Sequence, residues 1–302
     1  MLDVCLLGTG GMMPLPGRWL TACIMRSAGT TLLIDCGEGT QITLRQLGWS
    51  FKGIDALLIT HYHGDHVSGL PGLLLTIGNA ERHETLHIYG PKGLNRIVKG
   101  LLQIAPELPF PIECHELGGN GDEFDIGCFH IRDVKLDHGI PCLGYRVNLP
   151  RQPEFIPQKA QENQVPLKLW GKLQKGETVE ENGVCYTPDM VLGEPRRGLT
   201  VCYCTDTRPV PGIVDAARDA DLFICEGMYG EEEKKSRANE YKHMTFREAA
   251  VLAKEANARE LWLTHFSPSL MHPKEVLPEA QEIFENSYVG KDRMVKVLKY
   301  EE

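Results

Sequence analysis

The chain has 302 residues, 42% of them hydrophobic, and a formal net charge of -9, enough to bury a substantial core in one large or two fused domains. The acidic balance argues against indiscriminate binding of polyanions, which rewards an excess of Lys and Arg, but it leaves room for a local basic groove. No apolar run approaches the roughly 20 residues that span a bilayer; the opening Met1-Leu2-Asp3-Val4-Cys5 has no basic leader, so a cytoplasmic protein with no membrane partner is expected.

In chain order, short β-branched or Leu-rich runs at 4–7, 31–35, 56–60, 86–89, 201–205, 222–225 and 261–264 predict strands. Helical spacing follows several of them, at 39–47, 92–104 and 245–256, the last behind a Thr245 N-cap with Glu248 three residues on. Such alternation predicts an α/β fold of two sheets covered outside by helices. The ten cysteines are scattered, and the close pair Cys202 and Cys204 alternates along a strand, so buried free thiols are expected rather than disulfides. Residues 150–198 read differently. Pro, Gln, Lys and Glu predominate there, strand periodicity weakens, and seven basic residues balance seven acidic ones, which predicts an insertion of zero net charge projecting from one single domain, 1–302.

The densest chemistry lies in Thr60-His61-Tyr62-His63-Gly64-Asp65-His66, three imidazoles and a carboxylate in six positions directly after a buried strand. His61 and His63 point the same way while the chain is extended; once it turns at Gly64, Asp65 and His66 can face a second point. Neutral imidazole suits zinc, and carboxylates supply the negative charge that two divalent cations require. Four ligands cannot hold two metals, so others are expected at further strand ends. Asp206 follows the run 201–205, between the hydroxyls of Thr205 and Thr207; His265 follows 261–264; His138 ends an alternating segment that starts at His130. A ligand shared by both ions needs to be an acid, and Asp206 is a carboxylate whose neighbouring hydroxyls can orient it.

These motifs resemble the metallo-β-lactamase superfamily and, within it, the ribonuclease Z family of tRNA 3′-end processing endonucleases. The likeness runs nearly end to end, through Leu7-Gly8-Thr9-Gly10, Leu33-Ile34-Asp35-Cys36-Gly37-Glu38-Gly39-Thr40-Gln41, the His61–His66 motif continuing into Gly69-Leu70-Pro71-Gly72, Tyr89-Gly90-Pro91-Lys92-Gly93, Thr205-Asp206-Thr207-Arg208, His243-Met244-Thr245 and Leu263-Thr264-His265. It implies a four-layer αββα sandwich of the metallo-β-lactamase type with an inserted arm at 150–198 that grips tRNA, and a homodimer. It also implies two zinc ions per chain, one on His61, His63, His138 and Asp206, the other on Asp65, His66, Asp206 and His265. Asp65 would then accept a proton from the attacking water, His243 would protonate the leaving oxygen and Glu226 would hold the His243 tautomer, while Asp35 fixes the loop rather than binding metal.

Two departures touch substrate grip. The arm lacks the Gly-Pro pair of the family pattern, its Leu-Lys-x-Gly reads Leu173-Gln174-Lys175-Gly176, and Thr76-Ile77-Gly78-Asn79 stands in place of a Ser/Arg-rich loop. The leading expectation is therefore an endonuclease that cuts precursor tRNA 3′ to the discriminator region and leaves a 3′-hydroxyl. The alternatives are a hydrolase of small phosphodiesters or related esters with the same dinuclear site, and a non-catalytic binding protein of the same fold. Seven unused buried ligands would be costly to keep without a partner, which weighs against the last.

Overall fold

The structure is a computed structural model and describes residues 1–105 and 107–301. The chain divides into two compact units, Pro150–Gly198 and the remainder, Met1–Leu149 with Leu199–Glu301. In chain order the strands are β1 (Leu2–Gly8), β2 (Ala22–Ser27), β3 (Thr30–Ile34), β4 (Ala56–Leu58), β5 (Leu86–Pro91), β6 (Ile112–Leu117), β7 (Glu123–Ile126), β8 (Phe129–Leu136), β9 (Cys142–Arg151), β10 (Val179–Glu181), β11 (Val184–Tyr186), β12 (Arg196–Cys204), β13 (Leu222–Glu226), β14 (Leu261–Thr264), β15 (Ser287–Val289) and β16 (Met294–Leu298).

Two seven-stranded sheets carry the main unit, in the orders β16-β1-β2-β3-β4-β5-β6 and β15-β14-β13-β12-β9-β8-β7. Each is antiparallel at one end and parallel at the other: β3 to β6 run parallel, as do β12 to β15. The layering follows from side-chain alternation. Leu2, Val4 and Leu6 of β1 meet Val201 and Tyr203 of β12, Ile224 of β13 and Trp262 of β14 in the core between the sheets. The alternate residues Cys5 and Leu7 pack with Leu44, Leu73 and Leu94 of the helices Thr40–Leu47, Leu70–Asn79 and Leu94–Leu101. Cys202, Cys204, Phe223 and Leu263 face the helices Pro211–Ala217, Phe246–Glu255 and Pro273–Gln281 on the other side. The result is the four-layer αββα sandwich of the metallo-β-lactamase type, and strands buried on both faces explain why their sequences read as continuous apolar runs.

The helix Phe246–Glu255 begins where its capping box predicts: the Thr245 hydroxyl accepts from the Glu248 amide while the Glu248 carboxylate accepts from the Thr245 amide. The expected helix over 92–104 is shorter, Leu94–Leu101 followed by a 3₁₀ turn, because Gly93 at φ 102° can only precede it. Residues 76–79, which stand in place of the family's Ser/Arg-rich loop, complete the helix Leu70–Asn79. All ten cysteines are free, most of them buried, and no helix among the described residues is long and apolar enough to cross a membrane.

Pro150–Gly198 has its own small core, with Ala160, Val165, Leu169, Leu173, Val191 and Leu192 buried against Phe155 and Trp170. Its hairpin pairs β10 with β11 across Asn182-Gly183, whose φ values of 52° and 78° are those an Asn-Gly turn supplies without strain.

Candidate metal centre

The loops after β4, β8, β12 and β14 converge. His61, His63, His138 and Asp206 each offer a ligand atom within 4.8 Å of the others, and Asp65, His66 and His265 form a second such group. Asp206 belongs to both neighbourhoods: its Oδ2 is 3.7 Å from His61 and 3.9 Å from His138, and its Oδ1 is 3.2 Å from His66 and 3.3 Å from His265. His63 leaves the strand direction with extended backbone, and a four-residue helical turn starting at Gly64 then swings Asp65 and His66 to the second group.

Three residues leave their strands with left-handed backbone, Asp35 (φ 57°), Asp206 (φ 52°) and His265 (φ 58°). This costs an L-residue about 1–2 kcal/mol, and Asp and His tolerate it better than most. The turn throws each side chain across the end of its sheet instead of along it. Around His265 there is no slack, since a Cβ on Gly11 would lie 2.7 Å from its ring.

Outer hydrogen bonds fix how the imidazoles face. His66 Nδ1 donates to Asp35 at 2.8 Å and His138 Nδ1 to the Lys242 carbonyl at 3.2 Å, so in neutral rings the opposite nitrogens carry lone pairs. Yet His66 Nε2 stands 3.2 Å from His265 Nε2, and His63 Nδ1 is approached by both His61 Nε2 at 3.0 Å and His138 Nε2 at 3.2 Å. One nitrogen cannot serve two neighbours by a single hydrogen bond. Asp206 Oδ1, buried at the centre, has no hydrogen-bond partner. Converging lone pairs around an unsatisfied carboxylate fit metal ions and little else.

The charges agree. Burial pushes His61 and His138 below the ordinary imidazole range. Burial alone would raise Asp206, but His265, His66 and His61 hold it well below the usual carboxylate range; Asp65, likewise opposed by burial, is held down by His265 and His66. His66, pressed down by burial but faced by Asp206 and Asp35, rises well above its ordinary value. Asp35 also accepts from the Thr60 amide at 2.8 Å, so it braces the loop and the His66 ring together.

His243 stands beside this cluster, with its ring centroid 5.2 Å from His138 and 5.6 Å from His265. Its Nδ1 donates to Glu226 Oε2 at 3.0 Å, and Glu226 also accepts from the Thr207 and Met244 amides. Burial would lower the imidazole, but the Glu226 carboxylate outweighs it and lifts the ring to about 9. Arg208, paired with Glu248, donates to the His243 carbonyl and ties this segment to the helix start. A pocket of about 700 Å³ opens over the cluster, lined by His63, Asp65, His138, Asp206, His243 and His265 and rimmed by Met12, Tyr229, Arg237, Tyr241 and Ser267 to Ser269. None of these rim residues stood out in the sequence, because an Arg and a Tyr on a short polar helix, Lys235–Tyr241, carry no spacing signal.

Sandwich and cluster together define a hydrolase of the metallo-β-lactamase fold. Residues 184–266 match the beta-lactamase superfamily domain, and residues 2–103 match the family described as Anti-Pycsar protein Apyc1. The chain is 56% identical over 302 residues to a ribonuclease Z of Agathobacter rectalis, covering 100% of both chains, and 55% identical over 301 residues to a ribonuclease Z of Lachnoclostridium phytofermentans, covering 100% of this chain and 99% of that one. It superposes on the crystal structure of human tRNase Z, short form, with a TM-score of 0.71 and 28% identity over 98% of this chain and 99% of that one. The chain belongs to the ribonuclease Z family.

Proposed function

We propose that the chain binds two divalent cations, zinc in the first instance, and uses them in the cytoplasm to release the 3′ trailer from precursor tRNA, leaving a 3′-hydroxyl on the tRNA. The coarse activity follows from family membership: the protein is a metal-dependent endoribonuclease of tRNA 3′ processing. The observation that carries the proposal is the convergence of six side chains from three other loops around Asp206. His61, His63 and His138 would hold one cation and Asp65, His66 and His265 the other, with Asp206 shared. Metals held there supply Lewis-acid stabilisation of the phosphate oxygens and an activated water.

The chain's own groups do the rest. Asp65, whose Oδ2 accepts from the Met12 amide at 2.6 Å, is kept ionised and orients and deprotonates the attacking water. His243, held protonated by Glu226, gives a proton to the leaving oxygen. Arg237 at the rim offers its guanidinium to a backbone phosphate, and the exposed Tyr241 offers a ring on which an unpaired base stacks. The arm supplies a grip remote from the scissile bond, and likeness to the family supports assembly as a homodimer.

Purified protein incubated with a precursor tRNA and with bis(p-nitrophenyl) phosphate, with and without added metal, tests the reading. Metal-dependent cleavage of the precursor at a single 3′ position is expected. Turnover of the small diester with an intact precursor would replace tRNA by a small phosphodiester as the substrate.

A further inference from the structure

We propose that His87, Glu113 and His115 form a separate site for one divalent d-block cation, zinc or a metal of similar ligand preference, on the edge of the first sheet. The parallel pairing of β5 with the edge strand β6 sets His87 opposite Glu113 and Tyr89 opposite His115, so the side chains share one face. Three donor atoms come together there, all within 4.8 Å of one another. His87 Nδ1 lies 3.1 Å from His115 Nε2 and 3.5 Å from Glu113 Oε2. Zinc bonds of about 2.0–2.1 Å at tetrahedral angles place neighbouring ligand atoms roughly 3.3 Å apart, and the two separations from His87 already lie within tenths of an ångström of that spacing.

The ring positions are set in advance. His115 stacks on Tyr89, with centroids 4.4 Å apart and planes 17° from parallel, and Tyr89 stacks in turn on Phe124 of β7 at 4.3 Å and 7°. An imidazole held by two layers of aromatic packing loses little freedom on binding. Burial and the neighbouring His87 keep His115 below the ordinary imidazole range, which favours the ligating form. The donors remain reachable, since the side chains of His87 and Glu113 are 40% and 59% exposed.

The site shares no ligand with the larger cluster and lies on β5 and β6, beside β4 rather than in the loop that follows it. In register His87 is beside Ala56, the first residue of β4, whereas His61 and His63 follow its last. With three protein donors, a fourth position is left for water or an outside ligand. Spanning β5 and β6, the cation would staple the edge strand of the sheet, the strand most open to fraying and to pairing with other chains.

Apoprotein titrated with Co²⁺, followed by visible absorption and by metal analysis after gel filtration, tests this. The variant His87→Ala/His115→Ala is expected to bind one equivalent fewer than the unmodified chain, with unchanged hydrolysis of bis(p-nitrophenyl) phosphate. Glu113→Gln, a change at an exposed side chain that leaves the fold alone, should weaken that equivalent about tenfold. In Asp206→Ala, where the larger centre is broken, the same equivalent should persist, and amide exchange in β6 should slow when the metal is added. Equal stoichiometry in the unmodified chain and the double variant would show a hydrogen-bonded imidazole pair only and overturn the site, whatever becomes of the larger centre.

Discussion

Strands β4 and β14 and the last six residues of β12, whose following loops carry most of the proposed metal ligands, are buried, whereas both strands of the hairpin in Pro150–Gly198 are exposed or half-buried. The main unit holds three extensive apolar clusters on and between its sheets, and the arm gathers six buried apolar side chains. A core of that size stabilises only marginally. The difference separates two demands on one polypeptide. Reacting groups need positions held to fractions of an ångström, which buried strands provide; if Pro150–Gly198 serves as the tRNA grip proposed above, it needs reach and adaptable contacts instead, which a small and lightly packed unit provides.

The comparison is broken most severely by removing the shared carboxylate. Asp206→Ala should lower metal content and abolish hydrolysis of both precursor tRNA and a small diester; two metals per chain with normal turnover would refute the role assigned to the cluster. Next comes His243→Ala, which should retain the metals and lose about 10²- to 10⁴-fold in precursor cleavage. On a nitrophenyl diester, whose leaving group needs little protonation, the loss should be smaller, and an equal loss on both substrates would mean that His243 only positions. If the arm is the remote grip proposed above, replacing 150–198 by a short Gly/Ser linker should spare small-diester hydrolysis and impair precursor cleavage mainly through KM.

Two finer tests stay within the arm. Leu173→Ala should cost its core about 2–5 kcal/mol, visible as faster amide exchange over 155–192 with no change in the exchange of β12 to β14. Charge comes last. Lys168 is already paired with Glu181, so it is a poor candidate for binding phosphate, and the test falls on Lys172 and Lys175. Their replacement by Ala should flatten the salt dependence of tRNA binding by a slope of about 0.9 for each phosphate that either lysine neutralises. Unchanged affinity and slope in both this variant and the linker variant would leave the arm without a role in tRNA grip.

Much of the architecture was legible because the strands are buried on both faces and therefore read as apolar runs, and because His61 to His66 concentrates ligands at a strand end. Short or solvent-touching strands were not legible. β6, with exposed Glu113 and Glu116 among half-buried neighbours, shows neither a clean alternation nor a continuous run. The hairpin at Asn182-Gly183 carried a turn signal, but it sits in three-residue strands within a polar segment, where periodicity has too few residues to register. The trio His87, Glu113 and His115 was invisible for another reason. Its members are 28 positions apart at the extremes, and only the parallel register of β5 and β6 makes them neighbours.

The left-handed turns at Asp35, Asp206 and His265 also bear on how this centre can vary. At an ordinary position, exchanging one ligand for another is a question of chemistry alone; here the replacement must in addition accept a backbone that β-branched and bulky residues resist. Asn and Gly enter such a turn readily, but Asn is a weaker ligand and Gly is none, while Glu, Thr and Val meet the backbone penalty before their side chains are tested. The same turns complicate any alanine probe, since Asp206→Ala changes the local backbone energetics as well as the ligand, and Asp206→Asn isolates the charge more cleanly. Sequence drift at the proposed ligands Asp206 and His265 is therefore channelled toward loss of a ligand rather than toward a different ligand set, and at Asp35 toward loss of the brace on His66.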